Sequence, residues 1–135
     1  MAIDTLETWH RVARERDVAG LGTLLADDVV FHSPIVHTPQ RGKSVALQYL
    51  AAAFVVFFNE SFRYVREVTG ASDAVLEFEV TIDGVQVNGV DMIKWNAEGE
   101  IVEFKVMVRP LKAINLIHQK MAAMLQAGAP APSRG

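Results

Sequence analysis

The chain has 135 residues, half of them apolar, and its thirteen basic and sixteen acidic residues leave a net charge of −3. This length and composition predict one domain with one hydrophobic core. The charges form no basic face of the kind that nucleic acid requires, so no nucleic-acid partner is expected. The chain has no cysteine, which excludes a disulfide scaffold and thiol catalysis and agrees with a reducing compartment.

The apolar segments of the chain are short. The first ten residues, MAIDTLETWH, lack the basic segment followed by an apolar one that is typical of a signal peptide. The longest apolar run, from Tyr49 to Phe58, is too short to cross a bilayer. The sequence therefore predicts a soluble cytoplasmic protein with no membrane partner.

The first half of the chain is mainly helical in its periodicity. Asp4 and Glu7 have the spacing of a capping box, which marks the start of the first helix. Asp17 and Ser44 are candidate N-caps of two further helices. The predicted elements of this half, in chain order, are helix 5–16, a short helix from 18, strand 27–34, loop 35–42 and a third helix that extends to 58.

The second half changes to the period-2 pattern of β-strands. Asp83 to Val85 forms a tight hairpin signal between two of these strands, and Pro110 suits the first position of a last helix. The sequence predicts strands 62–69, 74–82, 85–95 and 101–108, then a helix that ends at Gly128.

Helices followed by a run of strands are typical of the α+β class. We expect helices packed on one face of a curved antiparallel sheet, with an internal apolar pocket open at one end. Residues 3–127 would form the single domain, and the segment 128–135, which contains APAPSRG, would be a disordered tail.

Asp91 is the most informative single residue, because it interrupts an apolar face of a predicted strand. Period-2 alternation places on that face Val85, Val87, Gly89, Asp91, Ile93 and Trp95. A buried carboxylate must be paired, hydrogen-bonded or protonated, and desolvation raises its pKa towards the range useful for proton transfer. The structural alternative is an aspartate bonded to Trp9 or to an arginine, or a slipped register that exposes it.

The element order and several local motifs resemble those of the SnoaL-like and ketosteroid-isomerase-like proteins, which share the cone fold of nuclear transport factor 2. The resemblance covers about residues 4–125. Its motifs are LLADDVVFHSP followed by RG and a helix, GVDMIKW followed by EGEI, and VMVRPL before the last helix. This fold hosts isomerases, cyclases, hydrolases, dehydratases and non-catalytic binding modules, so the resemblance implies the fold more strongly than the activity.

The resemblance to ketosteroid isomerase also implies roles for three positions. Asp91 matches the neutral carboxyl that donates a hydrogen bond to the substrate oxyanion. Ser33 stands where that enzyme has its proton-shuttling carboxylate, and Trp9 stands where it has its oxyanion tyrosine. With two of three groups replaced, steroid isomerisation by that mechanism is not expected. SnoaL-type cyclases use an acidic residue of the sheet as acid or base, which would make Asp91 itself the proton carrier.

Two histidines near Pro34 are further candidates for proton transfer, because histidine titrates near neutral pH. His32 ends the first predicted strand, where alternation turns it away from the pocket unless a bulge reverses it, and His37 follows in the loop. A structural, hydrogen-bonded role is the alternative for both. Their spacing is not that of a helical zinc motif and no third ligand is apparent, so no metal site is predicted.

The predicted function is cofactor-free acid/base chemistry of the isomerase, cyclase or dehydratase type on a small apolar, oxygen-bearing molecule. The candidate catalytic residues are Asp91, His32 and His37. The candidate substrate-binding residues are Trp9, Ser33, Tyr49, Phe54, Phe78 and Phe104, and core packing is the alternative for the aromatic ones. The alternative is a non-catalytic ligand-binding or interaction module of the same fold. Large apolar residues on the outer sheet face predict a homodimer through that face.

Overall fold

A computed structural model of the chain describes residues 4–128. These residues form four helices and six strands. In chain order the elements are α1 (Thr5–Glu15), α2 (Val18–Leu24), β1 (Leu25–His32), β2 (Gln40–Arg41), α3 (Lys43–Phe57), β3 (Arg63–Thr69), β4 (Asp73–Ile82), β5 (Val85–Trp95), β6 (Ile101–Arg109) and α4 (Leu111–Gly128). The predicted tail lies outside the described residues except for Gly128, which belongs to α4.

The first two helices begin where their capping residues predict. The Asp4 carboxylate accepts a hydrogen bond of 3.0 Å from the backbone N–H of Glu7, and Asp17 accepts one of 2.9 Å from Gly20. The predicted cap at Ser44 is wrong. The N-cap of helix α3 is Gly42, two residues earlier, and its φ of 99° turns the chain without a side-chain cap.

The six strands form one sheet in the order β2-β1-β6-β5-β4-β3. This confirms the α+β cone with a curved sheet, but the sheet is mixed, because β1 pairs with β6 in parallel. The segment predicted as a loop also contains β2, where Gln40 and Arg41 pair with Phe31 and Val30. A two-residue strand held by backbone pairing leaves no periodic signal in the sequence.

Strand β5 alternates between buried and more exposed residues, as its sequence predicts. Asp91 lies opposite Leu76 of β4 and Val106 of β6, on the inner face. An irregularity between Lys94 and Trp95 shifts the start of β6, so Ile101 is buried instead of Val102. Period-2 alternation in the sequence predicts that Val102 faces inward together with Phe104, and this is wrong for Val102, because strict alternation does not survive a bulge.

Helix α3 connects two groups of core residues. One group includes Trp9, Phe54 and Phe104, and the other includes Phe57, Phe78 and Ile117. Tyr64 and Val106 pack against both groups, which places them at the boundary between the two. None of the helices in residues 4–128 is long and apolar enough to span a membrane.

Candidate functional site

A cavity of about 200 Å³ lies between the two groups of core residues. Its wall comes from α1, α3, α4, β1, β4, β5, β6 and the segments that follow β1 and α3. Most of the lining is aliphatic or aromatic. Among the described lining residues, the side chains with polar atoms are those of Trp9, Ser33, Tyr49, Asp91 and His118.

Asp91 is the one buried carboxylic acid in the described part of the chain, with 6% of its surface exposed. Its place in the middle of β5 fixes the backbone, since both neighbouring strands pair with it. Its Oδ2 accepts a hydrogen bond of 2.6 Å from the Tyr64 hydroxyl. The carboxyl therefore borders the cavity while a protein donor holds one of its oxygens.

Tyr64 of β3 joins Asp91 to helix α1. The indole Nε1–H of Trp9 donates to the Tyr64 hydroxyl oxygen at 3.1 Å. Because an indole nitrogen can only donate, the tyrosine must accept this bond and direct its own proton to Asp91. The result is a one-way chain of hydrogen bonds from Trp9 through Tyr64 to Asp91.

Burial dominates the electrostatics of this chain. Desolvation raises the pKa of Asp91 from 3.8 to about 7, although the hydrogen bond from Tyr64 opposes part of that rise. Burial and the neighbouring Asp91 carboxylate raise the pKa of Tyr64 well above its ordinary value. At neutral pH Asp91 is thus divided between its acidic and basic forms, while Tyr64 keeps its proton.

The six residues predicted to bind substrate all line the cavity. They are Trp9, Ser33, Tyr49, Phe54, Phe78 and Phe104. Trp9 reaches Asp91 only through Tyr64, and the Ser33 hydroxyl already accepts a hydrogen bond of 2.9 Å from the backbone N–H of Ile35.

The structure does not bring the two predicted histidines to the cavity wall formed by residues 4–128. The Nε2 atom of His32 lies 3.1 Å from a carboxylate oxygen of Glu103 on the neighbouring strand. His37 is exposed in the loop after β1. Their catalytic role stays a prediction, without a contact that supports it.

Sequence reasoning missed Tyr64 and His118. Tyr64 stands two positions after Phe62, which is the spacing of one strand face, but Arg66 interrupts that face where the register of β3 shifts. His118 shares a helical side with Met121, Ala122 and Leu125, at i+3, i+4 and i+7. That spacing could have identified it as a lining residue.

Comparison with known proteins agrees with this architecture. The family model of the SnoaL-like domain matches residues 6–104. No curated protein matches the chain.

Several solved structures are similar over nearly the whole chain. A steroid delta-isomerase from Pseudomonas aeruginosa has 36% sequence identity and a TM-score of 0.85, over 91% of this chain and 90% of its own. An uncharacterised protein with a cystatin-like fold from Silicibacter pomeroyi has 29% identity and a TM-score of 0.86, over 93% and 88%.

A more distant structure supports the fold alone. It is a protein from Shewanella denitrificans named as a SnoaL-like polyketide cyclase, with 14% identity and a TM-score of 0.62 over 91% of this chain and 95% of its own. The family model covers residues 6–104, which is most of the chain, so the chain belongs to the SnoaL-like family.

Proposed function

We propose that the protein catalyses cofactor-free proton transfer, of the isomerase, cyclase or dehydratase type, on a small apolar molecule that carries oxygen. The observation that supports this most directly is the buried Asp91 carboxyl, with a pKa raised to about 7, at the wall of an apolar cavity. A group that titrates near the working pH is effective as both acid and base. The isomerase similar to this chain at 36% identity supports the same class of reaction.

The two protonation states of Asp91 would perform different steps. In its ionised form the carboxylate removes a proton from a carbon beside a carbonyl group, and the C–H electron pair moves into the resulting enolate. In its neutral form Asp91 returns that proton to another carbon or to an oxygen of the substrate. The proton is conserved over the cycle, so the step needs no oxidant or reductant.

Tyr64 would control the balance between these states. Its hydroxyl stabilises the ionised carboxylate through the 2.6 Å bond, and Trp9 fixes the direction of that hydroxyl. The apolar wall excludes water, which strengthens each hydrogen bond inside the cavity. Tyr64 and Trp9 are positioning residues in this account, and Asp91 is the catalytic residue.

The test is the Asp91→Asn variant, which keeps the shape of the side chain but cannot carry the proton. We expect turnover of small cyclic ketones to fall by at least about 100-fold while circular dichroism reports an unchanged fold. Asp28→Asn is the matched control, because Asp28 is an exposed carboxylate on the same sheet. Full activity in Asp91→Asn would exclude the proposed chemistry.

A second candidate function is binding of a small apolar ligand without catalysis. The observation that favours it concerns Ser33. The resemblance to ketosteroid isomerase places a proton-shuttling carboxylate at this position, but serine has none, and its hydroxyl accepts a hydrogen bond from the backbone N–H of Ile35. In that case Asp91→Asn would change ligand affinity, and the wild-type protein would convert none of the ligands that it binds.

We also infer a homodimer through the outer face of the sheet. The outward side chain of Met107 is 51% exposed, and Val90 pairs directly opposite it on the neighbouring strand. Apolar side chains that lie together on an outer face mark a candidate interaction surface. Light scattering should give twice the chain mass. A monomer mass at every concentration would contradict the inference. The cytoplasmic location stays a prediction.

A further inference from the structure

The cavity has a buried side and an exposed mouth. Trp9 and Asp91 are 1% and 6% exposed, which places the hydrogen-bonded chain at the buried side. At the other extreme, Val36 is 44% exposed, and His118 and Ala122 are also exposed lining residues. A ligand would therefore enter between the loop after β1 and helix α4.

The volume of the cavity limits the size of what it holds. An apolar cavity of about 150 Å³ in another protein accommodates a single benzene molecule. On the same scale, the volume of about 200 Å³ found here accommodates roughly eight non-hydrogen atoms. One substituted ring fits this space, whereas a four-ring steroid nucleus needs roughly twice the volume.

The mouth differs chemically from the apolar wall. Apart from Asp91, His118 is the one acidic or basic residue among the described lining residues. An imidazole carries a ring N–H in either protonation state, so it can donate to an acceptor on a ligand. Ser33 lies in the same lining as a second, uncharged donor, because its oxygen accepts a hydrogen bond from the backbone N–H of Ile35 and its hydroxyl can still donate.

We propose that the cavity selects a one-ring molecule with polar groups at both ends, a carbonyl or hydroxyl oxygen at Asp91 and a hydrogen-bond acceptor such as a carboxylate beside His118. This inference rests on the proposed function of the cavity and narrows its substrate class. His118 acts as a specificity-determining residue at the mouth, and the ring fills the apolar space between the two ends.

Binding of three probes to the intact protein tests this inference. The probes are a six-membered cyclic enone, the same enone with a carboxylate opposite its carbonyl group, and a four-ring steroid enone. NMR titration measures each dissociation constant. We expect the carboxylated ring to bind roughly fivefold more tightly than the plain ring, and the steroid to bind more weakly than either.

The matched variants are His118→Ala and Gln119→Ala, which alter adjacent exposed residues of α4. We expect the preference for the carboxylated ring to disappear in His118→Ala and to persist in Gln119→Ala. A preference that survives in His118→Ala, a steroid that binds best, or one-ring probes that do not bind would each overturn the inference.

These results separate the inference from the proposed function. One-ring ligands that bind as expected but are never converted would contradict the proposed catalysis and leave the size and mouth selection intact. If the protein converts a four-ring ketone and this activity depends on Asp91, the proposed catalysis is supported and the selection for one-ring molecules is contradicted.

Discussion

The Tyr64 hydroxyl donates a hydrogen bond of 2.6 Å to Oδ2 of Asp91 at the boundary between two groups of core residues. The two residues lie on strands β3 and β5, which are separated by β4. The bond therefore crosses a strand and fixes a buried carboxyl from one side. The chemistry proposed for the cavity depends on how far this bond offsets the cost of burying a charge.

Replacement of Tyr64 by phenylalanine tests the contribution of that bond. Because the bond lowers the pKa of Asp91, we expect Tyr64→Phe to raise this pKa above about 7. We also expect the free energy of unfolding to fall by about 1–3 kcal/mol, since the Trp9 indole N–H loses its acceptor. Chemical denaturation and NMR titration measure the two effects.

Tyr49→Phe is the matched control for this experiment. Tyr49 also lines the cavity, but among the described residues its hydroxyl has no hydrogen-bond partner. Equal losses of stability in the two variants would mean that the bond to Asp91 contributes nothing specific.

The position of Asp91 was predictable from sequence, and its environment was not. Alternation along β5 needs only local residues, so the inward face and its misplaced carboxylate follow directly. The partner Tyr64 comes from a strand whose residues are mostly exposed. The sequence predicts that Trp9 hydrogen-bonds Asp91 or ligand, but its indole N–H donates to Tyr64. This contact depends on which residues of β3 and β5 face each other across β4, and no local sequence pattern specifies that.

The same limit explains the other departures. The parallel pairing of β1 with β6 joins residues such as Phe31 and Phe104, which lie far apart in sequence. The irregularity near Trp95 arises where two strands shift register, which depends on both strands at once. The element order and the capping residues Asp4 and Asp17, in contrast, are local and were predictable.

The raised pKa of Asp91 predicts a specific dependence of stability on pH. Its folded pKa of about 7 exceeds its ordinary value of 3.8, so between these values the folded state binds more protons than the unfolded state. Stability should therefore fall as pH rises from about 4 to about 7, by up to roughly 4 kcal/mol from this group. Below pH 4 both states are protonated and the effect is absent.

Thermal or urea denaturation of wild type and Asp91→Asn across this pH range measures the effect. The difference between the two free energies of unfolding should change by up to roughly 4 kcal/mol between pH 4 and pH 7.5, because asparagine does not titrate. Parallel pH profiles would show that Asp91 does not carry a raised pKa in the folded state.

A second structural prediction concerns Gly89, which lies beside Asp91 on the inner face of β5. An added Cβ would lie 2.6 Å from the carbonyl oxygen of Met107 and 2.5 Å from a ring carbon of Phe78. We expect Gly89→Ala to destabilise the fold by about 1–3 kcal/mol and to displace the Phe78 ring at the cavity wall.

Gly22→Ala is the control for this substitution. An added Cβ at Gly22 meets its nearest neighbour, a methyl carbon of Leu47, at 3.7 Å, so it fits without strain. In a helix we expect a gain of about 0.5–1 kcal/mol. A Gly89→Ala protein as stable as wild type in urea would contradict the close packing at this point.

The carboxyl pKa of Asp91 is the most direct test of the whole account. Carbon-detected NMR titration of the side-chain carboxyl, with Asp91→Asn to assign the signal, measures it. We predict a value near 7, as expected of a desolvated acid that faces an apolar cavity. A value near or below 3.8 would show a solvated or ion-paired carboxylate, and it would contradict the proposal that Asp91 transfers protons at neutral pH.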